Sequence, residues 1–327
     1  MKSRVLSAAL GTLVVALFAS GQQAPSSKKQ PAGKQQPAAP QEPAPTADPS
    51  TVIRVQVTRV PMSFAVSDKR GRFVTGLVKE DFEIFENGKP VAIQDFSAEP
   101  TLPLRVAVLI DTSNSVRDRF RFEQEAASQF VADMLRTTSD KALVISFDSE
   151  AQLVAPFTSS VEKLGDAIRG LRAGGGTSLF DAIRFASDKL AEEQPSTNFR
   201  RVMVVVGDGE DNQSRSTRDQ ALEQAQVADT LIYAISTNNS GGDSDGDKIL
   251  RYFALNTGAK AFFPFKMEDL TEDFAKIAED VRHQYTIVFR PESSADGQFR
   301  KVDIRVKGHK ELVVRSRTGY YAGKADK

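Results

Sequence analysis

From Leu104 to about Gln284, short apolar runs alternate with stretches of helical period, and this alternation constrains the fold more than any other feature of the chain. The runs of strand type are Val106 to Ile110, Ala142 to Phe147, Gln152 to Ala155, Val202 to Val206, Leu231 to Ile235 and Ala261 to Phe263. Between them apolar residues recur at helical spacing: Phe122, Ala126, Phe130 and Leu135; Leu164, Ile168 and Leu171; Leu270, Phe274, Ile277 and Val281. Alternating strands and helices of this kind build a mostly parallel sheet with helices on both faces. The expectation is a doubly wound, Rossmann-like α/β domain with a six-stranded sheet over residues 101–284. In the strand order 3-2-1-4-5-6 the first and fourth strands are neighbours, and ligands bind at their carboxyl ends.

Both flanks read as antiparallel β structure. On the N-terminal side (51–100), Val52, Arg54 and Gln56 alternate with Ile53, Val55 and Val57. Met62 to Val66 follows, before the turn Asp68-Lys69-Arg70-Gly71. Asp81 to Glu86 and Val91 to Phe96 flank Asn87-Gly88, the dipeptide that best supplies the positive φ angles of a tight hairpin. On the C-terminal side (285–323), Tyr285 to Phe289, Val302 to Val306 and Leu312 to Arg315 alternate again, with Asp296-Gly297 and Lys307-Gly308 as turns. Each flank is too small to bury a core alone, so the two are expected to pair into one small β module with the α/β domain inserted in it.

The first residues have the form of an export signal: Lys2 and Arg4, an apolar stretch from Val5 to Ala19, and small residues at Ala19-Ser20-Gly21. The apolar stretch is shorter than the roughly 20 residues a spanning helix needs. Cleavage after Gly21 is expected, with no membrane insertion of the mature chain and a periplasmic or secreted destination. Residues 22–50 contain seven prolines and no Val, Ile, Leu or Phe, so they cannot bury enough apolar surface to order themselves and read as a tether. Lys plus Arg and Asp plus Glu both number 43, and this balance gives no reason to expect nucleic acid as a partner. With no cysteine and only His283 and His309, thiolate zinc sites and cysteine nucleophiles are excluded.

Three segments carry oxygen donors. Asp111-Thr112-Ser113-Asn114-Ser115 follows the first α/β strand and sets a carboxylate and two hydroxyls at two-residue spacing. Asp208 ends the fourth, Val-rich strand, and Thr177 follows Gly174-Gly175-Gly176, where glycines let the backbone fold in closely. Because the first and fourth strands should adjoin, Asp111 and Asp208 should face each other. Carboxylates and neutral hydroxyls without His or Cys suit a hard cation such as Mg²⁺. Taken singly, Asp111 and Ser115 could equally cap the next helix. Ser178 and Asp181 form a Ser-x-x-Asp capping pattern, which favours Asp181 as a cap over Asp181 as a ligand. Glu210, Asp211 and Asn212 are placed on the rim of the crevice.

The Asp-x-Ser-x-Ser turn, the Thr after glycines and the Asp after a Val-rich strand resemble the metal-ion-dependent adhesion site of von Willebrand factor type A domains over roughly residues 101–283. The resemblance implies Asp111, Ser113, Ser115, Thr177 and Asp208 as ligands of Mg²⁺, with Mn²⁺ or Ca²⁺ as alternatives. It also implies a protein partner that presents Asp or Glu. Gly76-Leu77, Glu80-Asp81-Phe82 and Arg317 to Ala322 are similar to an exported acidobacterial family that carries such domains.

Two other readings compete. One is an envelope assembly scaffold in which the α/β domain is structural. The other is a serine hydrolase, because Gly242-Asp243-Ser244-Asp245-Gly246 fits Gly-x-Ser-x-Gly with His283 later in the chain. Ser236 to Gly241 intervene between strand and serine, however, against the geometry of a nucleophile elbow. Asp243, Asp245 and Asp247 lack the glycine and glutamate positions of a calcium loop and read as a solvated loop.

Overall fold

A computed structural model describes residues 59–98, 102–136, 138–193, 199–238, 243–264, 266, 269–291 and 296–322, within one unit that begins at Val55. The expected signal, the tether and the alternation from Val52 to Val57 lie outside the described residues.

The central sheet has the order β10-β9-β8-β5-β6-β7. Its strands are β5 (Leu104–Asp111), β6 (Lys141–Phe147), β7 (Ala151–Thr158), β8 (Arg200–Gly207), β9 (Thr230–Ser236) and β10 (Ala261–Phe262). Renumbered from β5, this is 3-2-1-4-5-6, with only β7 antiparallel to its neighbour. Every residue of β5 and β9 is buried, as a strand covered on both faces requires.

Among the described residues three helices lie on each face. Val106, Val108, Ile110, Val204 and Tyr233 pack under α1 (Phe120–Met134), α2 (Val161–Gly170) and α6 (Asp269–Arg282). Ala107, Leu109, Met203, Val205 and Ile232 pack under α3 (Leu179–Glu192), α4 (Arg218–Val227) and α5 (Asp245–Thr257). Successive residues of one strand therefore feed opposite cores, which is the period of two of an extended backbone.

The flanking segments do pair, and they form two facing sheets. One has the order β13-β1-β11-β4 and the other β14-β12-β2-β3. Their strands are β1 (Val60–Ser67), β2 (Phe82–Glu86), β3 (Lys89–Val91), β4 (Ile93–Ser97), β11 (Tyr285–Phe289), β12 (Phe299–Val306), β13 (Val313–Ser316) and β14 (Gly319–Tyr321). One apolar core joins them, with Phe64 and Tyr285 from the first sheet against Phe82 and Ile304 from the second. The ring centroids of Phe64 and Phe82 lie 5.0 Å apart, edge to face. The α/β domain is inserted between neighbouring strands, because β4 leads into it, β11 leaves it, and the two pair antiparallel with Ser97 opposite Thr286.

The hairpin at Asn87-Gly88 forms as expected, with φ of 48° and 82°. The expected single strand from Val91 to Phe96 does not. Val91 pairs with Ile84 in one sheet, whereas Ile93 to Ser97 pair with β11 in the other, so the chain changes sheets at Ala92. Local alternation cannot reveal this corner, because residues on both sides of it read as β. Among the described residues no helix is long and apolar enough to cross a membrane.

Candidate functional site

Adjacency of β5 and β8 decides where the oxygen donors meet. The two strands pair in parallel up to Ile110 and Val206, so Asp111 and Asp208 emerge together at the carboxyl edge of the sheet. After Asp111 the chain turns at once: the Ser113 amide donates to Asp111 Oδ1 at 2.8 Å, and a short 3₁₀ turn covers Asn114–Val116. This local bond aims both serine hydroxyls the same way. Ser113 Oγ and Ser115 Oγ share a hydrogen bond of 2.8 Å, and Ser115 Oγ donates to Asp208 Oδ2 at 2.5 Å. Four donors from two strand ends thus form one connected set. The other Asp208 oxygen, Oδ1, accepts from the amide of Glu210 at 3.0 Å.

Thr177 reaches this edge through its backbone. The Gly174 amide donates to Thr112 O, and the Asn114 amide and side chain both donate to Gly175 O. On the other side the Thr177 amide donates to Asn212 Oδ1, and Thr177 O accepts from the amides of Asn212 and Gln213. The glycine loop is therefore stitched to the Asp111 turn and to the segment after Asp208. Gly175 has a φ of +95° that side-chain-bearing residues avoid.

All the expected donors except Ser115 are buried: Asp111 is 0 % exposed, Ser113 2 %, Thr177 3 % and Asp208 5 %. Among the described residues Asp111 Oδ2 has no hydrogen-bond partner. It sits against Gly207, where an added Cβ would lie 2.9 Å from it and 2.8 Å from Asp111 Cβ, so the glycine is needed for close approach. Burial, with the negative charge of Asp208 beside it, pushes the Asp111 carboxyl up to about 7. A buried carboxylate oxygen that nothing satisfies, beside a second carboxylate and hydroxyls, is a cradle suited to a hard cation. Two carboxylates and three hydroxyls match the oxygen preference of Mg²⁺, and among the described residues no three His, Cys, Asp or Glu side chains converge to hold an ion.

Three local expectations need correction. Ser178 and Asp181 make no capping box: Ser178 Oγ is buried without a partner. The free amides of the first turn of α3 are taken instead by Asp211 and Ser214, which accept from Phe180 and Asp181 at 2.9 and 3.0 Å. Asp181 reaches back to the amides of Arg215 and Ser216. Secondly, Asp211 and Asn212 do not simply rim the crevice; they brace α3 and the Thr177 loop. Thirdly, 243–247 is not a solvated loop. Ser244 caps α5 by accepting from the Asp247 amide at 3.0 Å, and Asp247 is fully buried.

The same contacts bear on the hydrolase reading. Ser244 lies at the carboxyl edge of the sheet, with Asn238 Nδ2 donating both to it and to Asp208 O. His283 follows Arg282, whose guanidinium binds Asp140 and Leu102 O at the opposite edge, and its ring stacks on Phe73 of the β sandwich. Ser244 and His283 therefore do not meet.

Sequence reasoning missed two features of this edge. One is Gly207, whose need for closeness has no local signature. The other is Glu123, an acid in the first turn of α1 that is 1 % exposed with neither carboxyl oxygen partnered. Burial first, and then the charges of Asp111 and Asp208 against that of Arg119, push its carboxyl up to about 8.

Comparison with known proteins bears on the α/β domain. Residues 106–210, a span that includes all five expected donors, match the sequence profile of the von Willebrand factor type A domain. Among curated proteins, an uncharacterized protein of Borreliella burgdorferi is 26 % identical over 145 residues, covering 41 % of each chain. The human von Willebrand factor A domain-containing protein 3B is 26 % identical over 183 residues, covering 54 % of this chain and 13 % of its own length. The chain thus spans less than half the length of either relative. Among solved structures it is similar to a von Willebrand factor type A protein from Catenulispora acidiphila, with 15 % identity, a TM-score of 0.48, and 75 % of this chain and 73 % of that one covered. It is also similar to the von Willebrand factor domain of a type V pili tip protein from Porphyromonas gingivalis, with 16 % identity, a TM-score of 0.44 and coverage of 55 % and 95 %. With the sheet order and two helical layers around it, the segment 106–210, from β5 to just beyond β8, is identified by its profile match as a von Willebrand factor type A domain.

Proposed function

We propose that this chain is an exported binding module that captures an acidic group of a protein partner through a divalent cation, Mg²⁺ or else Mn²⁺ or Ca²⁺. The cation would be held by Asp111, Ser113, Ser115, Thr177 and Asp208. One observation carries the reading: Asp111, Ser113, Ser115 and Asp208 converge at the edge of adjacent strands, with Asp111 Oδ2 buried and unpartnered. Neutral hydroxyls leave the ion's charge incompletely balanced, so a bound cation supplies an electrophilic position that a carboxylate from outside can fill. The chain's own part is to orient the oxygens. The Asp111 turn sets the two serines, Gly207 admits Asp111, and Asn238 fixes the carbonyl of Asp208. A binding role fits better than catalysis, because Ser244 serves as a helix cap far from His283. Export rests on the form of residues 1–21.

The test is recovery of partners from an envelope extract with Mg²⁺ and with EDTA, using the wild type and Asp111→Ala. Capture that EDTA and Asp111→Ala both abolish is expected. Partners retained in EDTA, or held unchanged by Asp111→Ala, would overturn the metal bridge and favour a structural scaffold.

A further inference from the structure

We propose that Glu123 is a third carboxylate of the cation site, acting from outside the direct ligand set by holding water on the ion. The inference deepens the reading above and rests on it. Its starting point is a side chain with no other employment. Glu123 is 1 % exposed, and among the described residues neither of its buried carboxyl oxygens has a hydrogen-bond partner. Burying a carboxylate unsatisfied costs several kcal/mol, whereas an apolar side chain in the same helix face would cost nothing of the kind.

Helix capping does not explain it. Glu123 donates its own amide to Arg119 O within the helix, and the first turn of α1 has no side-chain cap. The charge of Arg119 acts on it, yet among the described residues no hydrogen-bond partner reaches either oxygen. Burial raises the pKa of its carboxyl, Arg119 opposes that rise, and Asp111 and Asp208 add to it, so the residue lies within reach of the charges at the site. A buried acid without a hydrogen-bond partner, in the first turn of the helix that follows the Asp111 loop, stands ready for a positive charge beside it.

The rest of this edge points the same way. Among the described residues, the buried side-chain oxygens without partners are Asp111 Oδ2, both oxygens of Glu123, Ser178 Oγ, Thr237 Oγ1 and Gln284 Oε1. All but Gln284 belong to segments at the carboxyl edge of the sheet or the helix turn beside it: Ser178 follows Thr177, and the Thr237 amide donates to Gly207 O. Unsatisfied buried oxygens gathered at one place mark a site for ordered water. Among the described residues no three acids form a group that could hold an ion directly, so the inference assigns Glu123 to the water around the ion and not to its ligands. Mg²⁺ keeps several of its waters, and a buried carboxylate that orients them tightens the site as outer partners of metal ligands do.

The experiment is titration calorimetry of the full chain with MgCl₂ and with MnCl₂ alone, together with melting in EDTA. It compares the wild type, Asp111→Ala, Glu123→Gln and Glu123→Asp. Expected are binding by the wild type, none by Asp111→Ala, and affinity weakened about 10- to 100-fold in Glu123→Gln. Glu123→Gln should melt in EDTA at or above the wild-type temperature, and Glu123→Asp, which keeps the charge, should bind more tightly than Glu123→Gln. Wild-type affinity in Glu123→Gln, with Asp111→Ala inactive, would overturn the role of Glu123 and leave the cation site standing. Equal weakening in Glu123→Gln and Glu123→Asp would mark a packing defect and overturn it too. If Glu123→Gln does not fold, Glu123→Ala takes its place: wild-type affinity overturns the inference, and affinity weakened relative to Glu123→Asp, at a melting temperature in EDTA no lower than that of the wild type, supports it. Absence of binding in the wild type overturns both proposals.

Discussion

Gly246 lies in the first turn of α5, and replacing it with alanine sets local preference against tertiary packing. In an isolated helix the change should stabilise by about 1 kcal/mol, since alanine loses less backbone entropy than glycine. Gly246 needs no positive φ that alanine would resist. Its surroundings reverse the sign. An added Cβ would lie 2.1 Å from the carbonyl oxygen of Asp208 and 3.0 Å from the carbonyl carbon of Gly209. Real Cβ atoms do not come closer than 3.0 Å, so close to 1 Å of movement is required. The obstacle is backbone, and no side-chain rotamer can relieve it.

Overpacking of this kind costs about 1 to 3 kcal/mol or more. With rigid backbone on the other side the upper end applies, and the propensity gain leaves a net loss of about 2 kcal/mol. At about 2 to 4 °C per kcal/mol for a domain of this size, the melting temperature should fall by about 4 to 8 °C. Thermal unfolding in EDTA measures this without metal linkage. Gly170→Ala is the control, because nothing lies within 4 Å of its added Cβ, and it should be neutral or slightly stabilising. The carbonyl that must move belongs to an expected metal ligand, so cation affinity should fall along with stability. A Gly246→Ala protein that melts at or above the wild-type temperature would refute the packing argument.

Two further outcomes follow from the contacts. Ser244→Ala removes the N-cap of α5 and should lower stability by about 1 kcal/mol, read by urea unfolding, with no change in hydrolysis of generic esters; a real esterase activity lost in this variant would revive the hydrolase reading. Arg315 binds both carboxyl oxygens of buried Asp280 at 2.6 and 2.7 Å, tying α6 to the β sandwich. Arg315→Met should therefore destabilise by about 3 to 5 kcal/mol, whereas Asp280→Leu combined with Arg315→Met should recover much of that loss, and equal instability of the single and double variants would contradict a buried charge as its cause.

Much of the fold is legible in the sequence because it rests on periods that every segment carries. Val106 to Ile110 and Val202 to Val206 read as buried strands, and the usual winding of such sheets makes them neighbours, which they are. Strand order alone therefore brings Asp111 and Asp208 together, although 97 positions separate them along the chain. The local patterns that failed did so for a shared reason. Ser178 and Asp181 have the spacing of a capping box, but Asp211 and Ser214 arrive from another segment and occupy the amides first. The acids at 243–247 look solvated, yet Ser236 and Asn238 bind Asp247 within the fold.

By itself, then, the sequence determined most element types, the order of the central strands and the pairing of the β flanks, and it named the candidate oxygen residues. Each follows from hydrophobic period, turn chemistry or the handedness of βαβ connections, which act locally or through general rules of chain winding. Only the tertiary structure decided that, among the described residues, Asp111 Oδ2 and both carboxyl oxygens of Glu123 are buried without a hydrogen-bond partner, and that Gly207 and Gly246 must lack side chains. Those properties depend on which atoms from distant segments come within a few ångströms, and no spacing along the chain encodes that distance.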